Sequence, residues 1–267
     1  MEGFKYKKSF GQNFINNSKI INNIISCSNI KDNSLVIEIG PGSGNLTREL
    51  SKVSKYVLAY EIDERLEEIL DENLVDCDNV TVVYEDFLKS DLASDISKYE
   101  YDHLYITANI PYYITTPIIE KIINSSIPFE NITLMMQKEV GDRLSAKPGS
   151  RNYGSLTVFL NYYFDIKKQF IVNRNFFTPR PNVDSVVVTL TKKDGRKALD
   201  EKVFFKLIHD AFQYKRKNIR NNLKNYDLPI IEEVLKKHNY DLNVRSEALS
   251  IDIFLDIADR LVKDKVK

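Results

Sequence analysis

The chain has 267 residues, is 43% hydrophobic and 28% charged, and carries a formal net charge of zero, a composition suited to one full α/β domain with a smaller partner. Two distant cysteines, Cys27 and Cys77, and three scattered histidines, His103, His209 and His238, exclude a disulfide framework and a zinc site, so no metal is expected. No apolar run approaches the ~20 residues of a membrane span and Met1 to Phe14 lacks an apolar signal core, so the protein is expected in the cytoplasm, off the membrane.

Short apolar runs alternate with helical patterns, the signature of a mainly parallel α/β sheet. Leu35–Ile39 predicts a first strand, followed by a glycine loop and a helix over Leu46–Ser51. Tyr56–Tyr60 predicts the next strand; Asp63 is placed to cap a helix over Glu64–Leu74, with Glu64 and Glu67 in its first turn. Val80–Tyr84, Leu104–Ala108 and Ile132–Met136 predict three more strands, and Pro117 opens a helix over Pro117–Ile123. An extended region follows, then the alternating run Val183–Leu190, which predicts an antiparallel strand in the same sheet. The polar stretch 191–196 reads as a linker. Beyond it Glu201–Gln213, Lys215–Leu223, Ile230–His238 and Ile251–Val262 all read as helices. The expectation is an α/β domain over 1–190 and a small all-helical domain over 191–267.

The neutral total hides an asymmetry. From Glu61 to Asp102 there are fifteen acids against three bases, whereas from Lys192 to Lys224 there are eleven bases against four acids. Lys5, Lys7 and Lys8 form a smaller basic cluster. Such clustering gives a neutral protein a local nucleic-acid-binding face, although an uneven solvated surface produces the same pattern.

Glu38-Ile39-Gly40-Pro41-Gly42-Ser43-Gly44 lies where the first strand passes into the first helix, the usual ligand crevice of an open α/β sheet. Dinucleotide folds place G-x-G-x-x-G there, with the helix N-terminus aimed at a pyrophosphate. Here the spacing is G-x-G-x-G, with Pro41 stiffening the loop. That suits a ligand without phosphates, an adenosine bearing an amino-acid tail, with NAD as the competing reading. Glu61 ends the second strand, where an acid grips ribose hydroxyls, and Asp86 ends the third, placed to accept from an adenine amine.

Asn109-Ile110-Pro111-Tyr112 follows the next strand directly. Asn-x-Pro is a common turn signal, yet the set also suits alkylation of an exocyclic amine. The N6 lone pair of adenine is delocalised into the ring. A neutral acceptor such as the Asn109 carbonyl holds the N6 hydrogens, turning the lone pair toward a methyl donor and favouring the cationic transition state. Tyr112 is placed to stack on a flipped base, and Pro111 rigidifies the turn.

Four segments occur together in one order: Phe10-Gly11-Gln12-Asn13-Phe14, Glu38-Ile39-Gly40-Pro41-Gly42, Asn109-Ile110-Pro111-Tyr112 and Phe177-Thr178-Pro179-Arg180-Pro181-Asn182-Val183-Asp184-Ser185. In this the sequence resembles the rRNA adenine N6,N6-dimethyltransferases, specifically the type that modifies small-subunit (16S-type) RNA. The resemblance covers nearly the whole chain. It implies a Rossmann-like S-adenosylmethionine-dependent methyltransferase domain followed by a small helical domain. It also implies transfer of methyl groups to N6 of two adjacent adenosines in the 3'-terminal hairpin of small-subunit rRNA, within an assembling 30S particle, by a monomer.

By the same resemblance Gln12, Asn13 and Ile15 close over the cofactor, and Gly40 and Gly42 meet its methionine portion. Glu61 with Ile62 serves the ribose, Asp86 with Phe87 the adenine, and Asn109 the reacting region. Phe177 offers the target base a second aromatic face beside Ile110, Pro111 and Tyr112. Relatives that methylate large-subunit RNA and confer macrolide resistance share these motifs. Met135 to Val140, Pro148 to Gly154 and Arg245 to Ser250 favour the small-subunit type. Two departures are Ile15, where Leu is usual, and Tyr113, where Asn is common. A ribosome-assembly factor without catalysis and a DNA adenine methylase are the remaining readings; the intact tetrad counts against the first and the basic tail against the second.

Lys215, Arg216, Lys217 and Arg220 combine with Asn218, Asn221 and Asn222 on an expected helix. These cations can neutralise phosphates, positioning RNA without reading its sequence, and the family carries a similar basic cluster there.

Overall fold

The computed structural model describes residues 13–110 and 114–265. By contact the chain divides into two units. One holds the described residues up to Gly141 with Lys167–Lys192; the other holds Asp142–Ile166 with the described residues from Lys193 onward.

In the first unit the strands are β1 (Phe14–Ile15), β2 (Ser34–Ile39), β3 (Tyr56–Glu61), β4 (Val80–Tyr84), β5 (His103–Asn109) and β6 (Asn131–Gln137), followed by β7 (Phe164–Val172), whose first three residues belong to the second unit, β8 (Phe177–Thr178) and β9 (Ser185–Lys192). Seven of them form one sheet in the order β4-β3-β2-β5-β6-β9-β7. β2 pairs in parallel with β3 and β5, β3 with β4, and β5 with β6, whereas β9 runs antiparallel to β6. The order reverses between β3 and β5 on either side of β2, which opens the ligand crevice at the carboxyl end of β2. β2 is buried at every position, as a central strand must be, and β4 at the edge is only half-buried.

The helices of this unit are α1 (Ser18–Ser28), α2 (Asn45–Ser51), α3 (Glu67–Leu74), α4 (Leu92–Ile96) and α5 (Thr115–Asn124), with α6 (Lys138–Leu144) crossing the boundary. Asn17 caps α1 by accepting from the Ile20 N–H, and Ile20, Ile21 and Ile24 form its buried stripe. Its Asn-rich, β-branched sequence has low helix propensity, so the helix rests on that buried stripe. Asp63 caps a 3₁₀ turn, Glu64–Leu66, that leads into α3. Pro117 sits in the first turn of α5, and the run ending at Leu190 is the antiparallel strand the alternation implied.

The second unit contains α7 (Ser155–Tyr163), α8 (Glu201–Ala211), α9 (Ile219–Asn222), α10 (Leu228–Lys237) and α11 (Ile251–Lys265). Tyr153, Val158 and Tyr162 share its core with Phe204, Leu207, Ile208, Leu235 and Phe254. This places 142–166, read from sequence as part of the first domain, among the helices. The extended region expected before β9 accordingly contains α6, α7 and β7. The helix expected over Lys215–Leu223 is also corrected. Only Ile219–Asn222 is helical, because Asn218 takes an extended conformation and caps the turn by accepting from Asn221 N–H. Lys215, Arg216 and Lys217 lie in the preceding turn, closed by Lys217 N–H donating to the Tyr214 carbonyl at 2.9 Å.

Asp210 at the end of α8 accepts from Lys206 Nζ and Tyr226 Oη, each at 2.7 Å. The Lys206 ammonium, then the Tyr226 hydroxyl, hold its carboxyl down to about 2 against the cost of burial. A depressed carboxylate contributes stability that is complete above its unfolded value near 4 and is lost as pH falls toward 2. Asp210→Asn is therefore expected to cost about 1–2 kcal/mol at pH 7 and nothing near pH 2. Denaturant unfolding at both pH values measures this; an equal deficit at both assigns the effect to packing.

Candidate active site

The loop after β2 begins with the Gly40 N–H donating to the Tyr60 carbonyl at 2.9 Å, so it leaves the sheet still tied to β3. Gly40, Gly42 and Gly44 all have positive φ, 74°, 61° and 80°, a region costly for residues with a Cβ. At Gly42 space is decisive as well: a Cβ there would lie 2.6 Å from two ring carbons of Phe14. Phe14 on β1 thus covers the loop, and two amides hold β1 in place. Asn45 Nδ2 donates to the Ile15 carbonyl at 2.9 Å, and Asn109 Nδ2 donates to the Asn13 carbonyl at 2.9 Å.

These elements enclose one cavity whose lining includes Asn13, Phe14, Ile15, Gly40, Pro41 and Gly42. Glu61, Ile62, Asp86, Phe87 and Asn109 line it as well. Of the expected cofactor residues, all but Gln12 meet there; Gln12 lies outside the described residues, as do Pro111 and Tyr112 of the catalytic tetrad. Glu38, Asn45, Ile114, Ile118 and Met135 also face the cavity and were not singled out from sequence. Asn45 directly follows the last loop glycine, and Ile114 and Ile118 stand one helical turn apart, so a signal for these three was present.

Glu61 is 5% exposed, and each of its oxygens meets a backbone donor: Gly42 N–H reaches Oε2 at 3.1 Å and Asp63 N–H reaches Oε1 at 2.9 Å. Burial raises its pKa and these N–H groups oppose the rise. A carboxylate has about four acceptor positions, so two remain for a diol. Glu38 is 1% exposed and its Oε2 has no hydrogen-bond partner among the described residues. Burial pushes it up to about 8, with Thr47 opposing and the charge of Glu61 adding. At neutral pH it is an uncharged acid, able to donate into the cavity.

Ile62 is 50% exposed at the cavity wall, an apolar surface of the kind a purine face covers. Asp86 fixes one oxygen by accepting from Leu88 N–H at 3.0 Å, and Phe87 is buried edge-on to Tyr60 at 5.5 Å between ring centroids. The lining fits S-adenosylmethionine: a diol acceptor at Glu61, an adenine acceptor at Asp86, an apolar wall at Ile62 and the backbone of the glycine loop for the tail.

Asn109 is half-buried at the end of β5. Its Nδ2 donates to the Asn13 carbonyl, which leaves Oδ1 as an acceptor on a residue that lines the cavity. Ile110 is buried, and its N–H donates to the Met135 carbonyl at 3.1 Å, so it anchors the loop rather than facing a substrate. Phe177 departs from expectation. It is 4% exposed and packs with Ile15, Ile21, Met135 and Val187. Alternation in β8 turns it inward beneath β1, where it supports Ile15 instead of presenting an open face.

Glu61→Ala removes the diol acceptor and frees the Gly42 N–H. It is expected to weaken S-adenosylmethionine binding by about 1.5–3 kcal/mol. Calorimetry on the folded variant measures it, and unchanged affinity removes Glu61 from the cofactor site.

Comparison with known proteins agrees with this geometry. The family described as ribosomal RNA adenine dimethylase matches residues 3–263. A protein of Lactiplantibacillus plantarum named ribosomal RNA small subunit methyltransferase A is 44% identical, covering 97% of this chain and 91% of its own. Its namesake in Streptococcus gordonii is 45% identical, covering 97% and 93%. Among solved structures, a dimethyladenosine transferase from Plasmodium falciparum aligns with a TM-score of 0.78 at 29% identity, over 91% of this chain and 95% of that one. The 23S rRNA methyltransferase ErmE aligns at 0.77 and 26%, over 94% and 100%. The sheet is therefore the Rossmann-like sheet of methyltransferases, and the chain belongs to the ribosomal RNA adenine dimethylase family.

Proposed function

We propose that the protein transfers methyl groups from S-adenosylmethionine to N6 of two adjacent adenosines in the 3'-terminal hairpin of small-subunit rRNA, during assembly of the 30S particle. The observation that carries this is Asn109. Its amide is locked by the Asn13 carbonyl in the lining of a cavity whose acids suit an adenosine ligand. The small-subunit substrate is preferred to large-subunit RNA because relatives named for the small subunit are 41–45% identical along nearly the whole chain. ErmE is 26% identical.

When bound, the cofactor supplies an electrophilic methyl group on a sulfonium. Glu61 fixes the ribose and Asp86 the adenine amine. Asn13, Phe14 and Ile15 cover the pocket and exclude water. Asn109 Oδ1 accepts an N6 hydrogen, which directs the lone pair along the transfer line and stabilises positive charge as it develops on nitrogen. No strong base is required, since the alkylated amine is acidic and loses its proton readily. Tyr112 stacks on the flipped base, a role worth ~1–3 kcal/mol.

Asn109→Ala is expected to slow single-turnover methylation of unmethylated small subunits by on the order of 10²–10³. Losing the tie to Asn13 should weaken cofactor affinity by only about 1 kcal/mol. A rate within a few-fold of wild type refutes the mechanism. A folded variant that fails to bind cofactor makes Asn109 a cofactor-holding residue and removes its catalytic role.

The helical unit supplies the RNA surface. Several of its cations are matched: Lys206 with Asp210, Lys236 with Glu232, Lys237 with Glu233, and Arg260 with Asp264 and Glu233. Lys215, Arg216, Lys217 and Arg220 are exposed, and no carboxylate engages them among the described residues. Unmatched cations release counterions from a polyanion without first breaking a salt bridge. Replacing Lys215, Arg216 and Lys217 by Glu should weaken RNA binding and flatten its salt dependence by up to roughly 0.7–0.9 per lost phosphate contact, leaving cofactor binding intact. Identical salt slopes would make the turn an ordinary solvated surface.

A further inference from the structure

The inward turn of Phe177 leaves its neighbour Phe176 outside. Phe176 is 42% exposed, and two other large apolar side chains within the same short stretch, Ile171 and Val183, are 59% and 42% exposed. Scattered exposed apolar residues need no explanation. This group differs because the chain around it is braced. Asn173 Oδ1 accepts from Asn175 N–H at 2.9 Å, and Phe176 N–H donates to the Asn173 carbonyl at 3.1 Å. Asp184 Oδ1 accepts from Arg174 N–H at 3.0 Å, and Arg174 Nη1 reaches the Asn182 carbonyl at 2.7 Å. An exposed aromatic ring on a backbone closed at both ends loses little entropy when something stacks on it.

Its position ties it to the active site. Phe176 immediately precedes β8, whose Phe177 and Thr178 pair with Ile15 and Phe14 of the strand that covers the cavity. Arg180, two residues beyond β8, is exposed and has no acidic partner among the described residues. Aromatic faces interleaved with unmatched cations are what single-stranded nucleic acid requires: the ring takes a base of any identity and the guanidinium takes a phosphate.

We infer that Phe176 is a stacking platform for a nucleotide of the substrate RNA flanking the target adenosine, with Arg180 neutralising an adjacent phosphate. The occupant follows from continuity with the pocket-covering strand and from charge, and it rests on the proposed rRNA substrate. A flipped adenosine leaves its neighbours unstacked, and a fixed aromatic face next to the strand that pairs with the pocket-lining β1 can restore part of that stacking.

The test uses the full-length protein and small subunits lacking the methyl groups. Phe176→Ala is expected to raise KM for the particle about five- to hundredfold, with kcat, cofactor affinity and thermal midpoint near wild type. Phe176→Tyr should restore KM and Phe176→Leu should not, since stacking needs a π face and mere apolar cover does not. Arg180→Gln should reduce the salt slope of RNA binding by about 0.7. The chain contains no tryptophan, so Phe176→Trp introduces a single indole whose emission is expected to be quenched by the particle and by single-stranded oligoadenylate. An alanine variant with KM within twofold of wild type, or an indole whose emission ignores RNA, overturns the platform while leaving the methyltransferase reading intact. Wild-type protein that fails to methylate small subunits overturns that reading instead, and oligoadenylate quenching then still decides the platform.

Discussion

The hydrogen bond from the Gly42 N–H to Glu61 is the joint on which the site depends. It links the loop after β2 to the end of β3, whose carboxyl ends lie at one edge because the two strands pair in parallel. A carboxylate 5% exposed is tolerable only with donors on it, and the Gly42 and Asp63 N–H groups provide them. The loop can present its N–H there because its three glycines adopt positive φ. Phe14 then packs where a Gly42 side chain would stand, and Asn45 and Asn109 hold β1 down over it. A change at any one of these positions disturbs the others, since each supplies the partner the next one needs.

Two buried acids divide the chemistry of the pocket between them. Glu61 receives two backbone donors and can remain an acceptor for hydroxyl groups. Glu38, with Oε2 unpartnered and the charge of Glu61 nearby, favours its protonated form. Burial raises both carboxyls, and the charge of Glu61 adds to the rise at Glu38. The result is an acceptor and a donor in one crevice, a pattern suited to a ligand with both hydroxyl and carboxylate groups.

The parallel strands were legible because continuous apolar runs bounded by turns admit few other readings, and the glycine loop because its spacing is rare outside ligand crevices. Glu61 and Asp86 followed from their places at strand ends. What escaped was set by tertiary contact. α1 is stabilised by burying Ile20, Ile21 and Ile24 against the sheet, not by propensity. The segment 142–166 joins the helical unit through Tyr153, Val158 and Tyr162, whose apolar character does not say which of the two cores they enter. Phe177 was read by its motif as facing a base, whereas the pairing of β8 with β1 decides which of two adjacent phenylalanines is covered.

Charge gives the same lesson about totals and arrangement. A chain with equal numbers of acids and bases has no net attraction for a polyanion, yet its charges are not uniformly available. The acids from Glu61 onward include Glu64, Glu67, Glu68, Asp71 and Glu72 along the solvent side of the turn and helix at α3. In the helical unit, carboxylates one turn away pair with Lys206 of α8 and with Lys236 and Lys237 of α10. A cation already paired must break that pair before it meets a phosphate, so its net contribution is small. Lys215, Arg216, Lys217 and Arg220 bear no such cost among the described residues. The turn made by Asn218 gathers three of them where a longer helix would have spread them around its circumference. A neutral protein thereby keeps a short-range cationic surface whose attraction fades beyond the ~8 Å screening length of physiological salt, which favours RNA already in contact over RNA at a distance.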